Sequence, residues 1–151
     1  MRVLFIEDEA AARSGLTALL ASQGDIVDSA ESCEAAEKAF RTTAYDLVIL
    51  DIMLPAGQYE CQRGLVMKDA GATLLDDLRR DSISGSKTKP DVPVVALTAI
   101  ASTEIHERIC RHHAVYLAVK PIDPEEVVQL IRSVIADGNA MPNNRTDTDA
   151  E

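Results

Sequence analysis

Four short apolar runs, each stopped by a charged or hydroxyl-bearing residue, constrain this chain more than any other feature. Val3–Ile6 stops at Glu7-Asp8, Leu47–Leu50 at Asp51, Val94–Leu97 at Thr98 and Val115–Val119 at Lys120. They lack the alternation of a half-exposed strand and the length of a helix, so they read as strands buried on both faces. Ile26–Ala30 is a weaker run of the same kind, with two polar residues in it.

Helical patterns fill the gaps. Ala12, Leu16, Leu19 and Leu20 recur at helical spacing, and Gly24 supplies a stop. Ser32 is placed to cap a helix through Phe40. A weakly amphipathic helix is predicted over about Ser102–His112. The last is the clearest: Asp123-Pro124-Glu125-Glu126 gives a cap, a proline at the first helical position and a capping-box acid, and Val127, Leu130, Ile131 and Val134 form its apolar stripe. Strands apolar on both faces and joined by helices require a parallel sheet covered on both sides. The predicted fold is therefore α/β, a doubly wound five-stranded parallel sheet of flavodoxin-like type. Residues 1–137 read as one domain. Within it, about 56–70 is a long stretch after the third strand, about 81–91 reads as a flexible loop, and 138–151 as a polar, disordered tail.

Composition narrows the function. The net charge of −10 disfavours direct binding to nucleic acid phosphates. Aromatic residues make up only 3% and Trp is absent, so the core must be aliphatic. No apolar run reaches membrane-spanning length. The first residues do not form a signal segment, and three scattered cysteines, Cys33, Cys61 and Cys110, do not form a disulfide framework. A cytoplasmic setting is expected.

In open parallel sheets, ligands bind beyond the carboxyl ends of the strands. Glu7, Asp8, Asp51, Thr98 and Lys120 all fall at such ends. One polar residue at a strand end is usually the start of a loop, but five at matching ends of one sheet form a site. Two carboxylates about 5 Å apart repel by roughly 3 kcal/mol at an effective dielectric near 20. A hard divalent cation such as Mg²⁺, which favours a few carboxylates together with waters and phosphate oxygens, relieves that crowding. Lys120 adds a second positive charge, and the set makes a socket for a phosphoryl group.

Ile6-Glu7-Asp8-Glu9, Leu50-Asp51-Ile52-Met53-Leu54-Pro55, Leu97-Thr98-Ala99 and Val119-Lys120-Pro121 resemble, in that order, the motifs of response-regulator receiver domains of two-component signal transduction, over about Arg2–Asp137. The resemblance implies a CheY-like (βα)5 fold with strand order 2-1-3-4-5. It implies that Asp51 accepts a phosphoryl group from a histidine kinase or phosphotransfer protein. Mg²⁺ would be held by Asp8, by Asp51, by the backbone carbonyl of Met53 and, through water, by Glu7. Thr98 would bond a phosphoryl oxygen, Lys120 would pair with Asp51 and then with the phosphoryl group, and the Lys120-Pro121 peptide would be cis. Such a domain is a signalling switch rather than a classical enzyme, promoting only its own phosphorylation and dephosphorylation. Its downstream partner protein would bind through about Ser102–Val119. A homodimer is left open, as is a stand-alone receiver without an output domain.

The chain departs from the family in two places. The position three before Lys120, usually aromatic, is Leu117, and Tyr116 beside it faces the opposite way in a strand. The stretch after Pro55 is longer than usual before Gly71, which matches the glycine opening the third helix, with Leu74, Leu75 and Leu78 following. That insertion, with Tyr59, Cys61, Arg63, Leu65, Val66 and Met67, reads equally as a contact element or lid and as a tolerated loop. The departures leave room for an alternative, a receiver-like interaction module that works without phosphorylation. Two other readings are weaker. His106 and Cys110, one helical turn apart, lack a second metal-ligand pair, and an aspartyl phosphatase of the dehalogenase type would need an acid where Met53 stands.

Overall fold

The computed structural model of the chain describes residues 1–54, 70–99 and 103–140, the last three by their backbone alone. Five strands, β1 (Arg2–Ile6), β2 (Ile26–Ala30), β3 (Leu47–Asp51), β4 (Val94–Thr98) and β5 (Val115–Val119), alternate with helices α1 (Ala10–Ser22), α2 (Cys33–Thr42), α3 (Ala70–Arg79), α4 (Thr103–Cys110) and α5 (Pro124–Ala140). The strands form one parallel sheet in the order β2-β1-β3-β4-β5.

Side chains alternate across each strand, and the core divides accordingly. Leu4, Ile6, Val48, Leu50, Val94 and Ala96 face α2, α3 and α4, where Phe40, Leu74, Leu78 and Ile109 cover them. Val3, Phe5, Leu47, Ile49, Val95 and Leu97 face α1 and α5, under Leu16, Leu20, Val127 and Ile131. β3 and β4 are buried at every residue. β2 and β5 lie at the edges and are partly open, which is why β2 carries Asp28 and Ser29 and was the weakest strand signal.

The ends of the helices follow the residues that stop them. Gly24 takes a positive φ of 94°, and its N–H reaches back to the Ala21 carbonyl. Ser32 accepts the Ala35 N–H through its hydroxyl at 3.2 Å. Asp123 accepts the Glu125 N–H at 3.0 Å, with Pro124 in the first position of α5. α4 begins at Thr103 and ends at Cys110, inside the predicted span, and buries Ile109. α5 runs to Ala140, past the expected domain boundary. Residues 55–69 and 141–151 lie outside the described residues, so of the insertion expected over about 56–70 only Ala70 is described, as the first residue of α3.

The segment read as a flexible loop, 81–91, is fastened to the domain. Thr88 is buried, donates its hydroxyl to the Thr43 carbonyl at 2.8 Å and accepts the Tyr45 N–H at 3.1 Å. Lys87 N–H donates to the Phe40 carbonyl at 2.7 Å, Arg41 donates to the Ser84 carbonyl at 2.9 Å, and Ile83 enters the core.

Candidate functional site

Parallel strands of equal length finish on one edge of the sheet, and that edge carries the polar residues. Glu7 follows β1, and its N–H is held by the Ala30 carbonyl of β2 at 2.9 Å. Asp51 ends β3, and the next N–H, from Ile52, donates to the Leu97 carbonyl of β4 at 3.0 Å. Thr98 ends β4, and its carbonyl accepts the Lys120 N–H at 2.7 Å. Each polar residue is thus placed by the strand next to its own.

The side chains converge. Lys120 Nζ lies 3.0 Å from Glu7 Oε1 and 3.3 Å from Asp51 Oδ2. Asp51 Oδ1 accepts the Met53 N–H at 3.0 Å, and Glu7 Oε2 accepts the Asp8 N–H at 3.1 Å. One carboxylate oxygen from each of Glu7, Asp8 and Asp51 lies within 4.8 Å of the others, the cluster of potential metal ligands found among the described residues. Glu7, Asp51 and Thr98 are buried, at 2%, 3% and 5% exposure. Thr98 continues the Val94–Ala96 row that faces α3 and α4. The Lys120-Pro121 peptide is cis.

Crowding shows in the protonation equilibria. The Glu7 carboxyl is pushed up to about 7, first by burial and then by its hydrogen bond to Asp51 and that neighbour's charge, against the opposing pull of Lys120. Burial works against the Lys120 ammonium, but pairing with Glu7 and the charge of Asp51 outweigh it and hold Lys120 above its ordinary value. One ammonium does not fully neutralise three carboxylates. A hard, oxygen-seeking divalent cation fits this donor set.

Sequence reasoning passed over several residues that shape the site. Arg13, on α1, donates to the Glu7 carbonyl and lies 3.8 Å from Glu31, tying down the β1–α1 turn. A cavity of about 630 Å³ opens beside the carboxylates, between α1 and the β5–α5 turn, lined in part by Glu7, Gly15, Lys120 and Pro121. Leu117 packs on the α2–α4 face and Tyr116 on the α1–α5 face, so Tyr116 does not share the Thr98 side of the sheet. His106 and Cys110 are exposed and belong to no cluster of three ligands among the described residues. His112 is engaged elsewhere, 2.6 Å from Asp76.

A five-stranded doubly wound sheet with acids at the ends of β1 and β3 and a lysine after β5 defines a class of signalling domain. The chain belongs to that family: the model for the response regulator receiver domain matches residues 3–132. The phosphate regulon transcriptional regulatory protein PhoB of Escherichia coli is 31% identical over 134 residues, which cover 89% of this chain and 51% of PhoB. A probable transcriptional regulator, ycf27, of Guillardia theta is 32% identical over 136 residues, 89% of this chain and 45% of its own. The chain thus spans about half the length of these relatives. Solved structures share the fold. A two-component response regulator from Clostridium difficile superposes with a TM-score of 0.72 at 19% identity, over 93% of this chain and 99% of that one. The chemotaxis protein CheY4 of Vibrio cholerae superposes with a TM-score of 0.69 at 21% identity, over 88% and 97%.

Proposed function

We propose that this receiver domain accepts a phosphoryl group on Asp51 from a histidine kinase or phosphotransfer protein in a Mg²⁺-dependent reaction, and so switches its binding to a downstream protein. The observation that carries the reading is the contact of Lys120 with two buried carboxylates, its Nζ lying 3.0 Å from Glu7 and 3.3 Å from Asp51. Asp8, Asp51 and the Met53 carbonyl would hold the metal directly, and Glu7 through water. When bound, Mg²⁺ supplies positive charge to the carboxylates and to the phosphoryl oxygens. Asp51 Oδ2 attacks phosphorus, the new oxygen–phosphorus bond forms as the bond to the donor breaks, and the donor imidazole leaves with its electron pair. Lys120 stays beside Asp51 throughout and offsets charge on the transferred group. Thr98 would donate its hydroxyl to a phosphoryl oxygen.

The downstream surface is proposed over about 102–119, which includes α4 and β5. Partners are proteins rather than nucleic acid, in keeping with the charge of −10. No helix among the described residues is long and apolar enough to cross a membrane, and a cytoplasmic setting is proposed in keeping with the free thiols of Cys33 and Cys110.

Incubation with acetyl phosphate and Mg²⁺, followed by intact mass measurement, tests the reading. Wild type should gain one phosphoryl group, and none when a chelator is present from the start, and Asp51→Asn should gain none while keeping its stability, since the substitution removes charge crowding. An unmodified wild type would point to the phosphorylation-independent module instead.

A further inference from the structure

The first turn of α3 rests on the backbone that carries Asp51. A Cβ on Gly71 would come 2.5 Å from the Ile52 carbonyl oxygen, 2.7 Å from Ile52 Cα and 2.8 Å from the Asp51 carbonyl oxygen. All three are main-chain atoms, so no rotamer change relieves the overlap. Gly15, Gly24 and Gly85, by contrast, would place a Cβ no nearer than 3.5 Å to any neighbour. Gly71 does not need a left-handed backbone either, since the positive-φ glycines are Gly24 and Gly85. Glycine is a poor helix former, and close approach is what accounts for it here.

The consequence runs through one peptide plane. The Ile52 carbonyl and the Met53 N–H belong to the same rigid unit. That N–H donates to Asp51 Oδ1 at 3.0 Å, while Asp51 Oδ2 faces Lys120 at 3.3 Å. On the other side, the Ile52 N–H is tied to the Leu97 carbonyl at 3.0 Å. Pressure on the Ile52 oxygen turns the plane about that anchor and swings the Met53 N–H away from the carboxylate. We propose that Gly71 is a positioning residue for phosphoryl transfer: its missing side chain lets α3 seat the Ile52–Met53 peptide so that Oδ1 is held and Oδ2 is presented to the incoming phosphorus. This rests on Asp51 being the phosphoacceptor.

The test compares Gly71→Ala with Leu20→Ala in the full chain. Leu20 is buried under the opposite face of the sheet, so its truncation lowers stability without touching the site. Both variants are assayed with acetyl phosphate and Mg²⁺ under conditions where denaturant titration shows them folded. Gly71→Ala should lower the saturated rate roughly ten- to a hundredfold, the scale of a small misplacement of reacting groups, with little change in KM, while Leu20→Ala keeps the wild-type rate. Two variants that lose stability alike and phosphorylate like wild type would overturn the proposal. Should Gly71→Ala fail to fold, amide resonances of wild type decide it. Adding beryllofluoride with Mg²⁺ should shift Gly71 and Ala72 together with Met53, and a Met53 shift with Gly71 and Ala72 unmoved contradicts the coupling. If wild type itself takes neither acetyl phosphate nor beryllofluoride, the reading of Asp51 fails, and the role of Gly71 falls with it.

Discussion

Glu7 titrates in a window where its effect on stability is measurable. Its folded-state value of about 7 stands above its ordinary 4.5. Between those values the folded chain keeps a proton that the unfolded chain has released, so this group's contribution to stability is full below the lower value and is lost as pH rises through the upper one. In divalent-free buffer, the denaturant midpoint of wild type should therefore fall from about pH 5 to about pH 8, and Glu7→Gln should flatten that slope. Equal slopes would show that Glu7 is not crowded as described. At this scale the sequence was partly readable. Glu7, Asp8, Asp51, Thr98 and Lys120 stood out because each interrupts or follows an apolar strand, a local signal. Arg13, Thr88 and Asp76 did not, because what they do depends on partners that no periodicity announces: Thr88 bonds to Tyr45 and Thr43, and Asp76 to Arg108 and His112.

Among the elements, α3 and α4 are joined by a polar clasp. Asp76 Oδ2 accepts Arg108 Nε at 2.9 Å and a terminal Arg108 nitrogen at 2.6 Å; the same nitrogen donates to Thr73 at 2.9 Å, and His112 lies 2.6 Å from Asp76 Oδ1. Arg79 extends the join by donating to the carbonyls of Pro90, His113 and Ala114. The carboxylate is largely covered, so its loss leaves Arg108 without its principal partner. Asp76→Ala should cost about 1–3 kcal/mol by denaturant titration and should speed hydrogen exchange in α4 more than in α1. Unchanged stability would mean that the clasp is solvated. The two helices were not equally readable. α5 carried its cap, proline and stripe in consecutive residues, whereas α4 buries only Ile109, with Ile105 packed beside it, and adds this ionic contact to a narrow apolar face. The strands were legible wherever both faces are covered, as in β3 and β4, and faint at the β2 edge, where one side meets solvent.

For the whole molecule, a net charge of −10 is gathered partly into a pocket of three carboxylates and one ammonium. On the proposed reading, Mg²⁺ is held by that pocket in the folded state and finds no such pocket in the unfolded chain. It should raise the thermal midpoint in a concentration-dependent way, adding about 2.7 kcal/mol to the unfolding free energy at a hundredfold excess over its Kd. Asp51→Asn should weaken the effect, and a midpoint insensitive to Mg²⁺ would leave the pocket without its cation. Topology followed from the alternation of strands and helices, since parallel neighbours need crossovers. The strand order came from the family resemblance, and the sheet has that order. The most direct measurement is to locate the adduct: phosphorylate the chain with acetyl phosphate and Mg²⁺, trap the acyl phosphate by borohydride reduction, and map the peptides by mass spectrometry. Reduction at Asp51 alone is the predicted result; reduction at Glu7 or Asp8, or at no carboxylate, would contradict the assignment of Asp51 as the residue that receives the phosphoryl group.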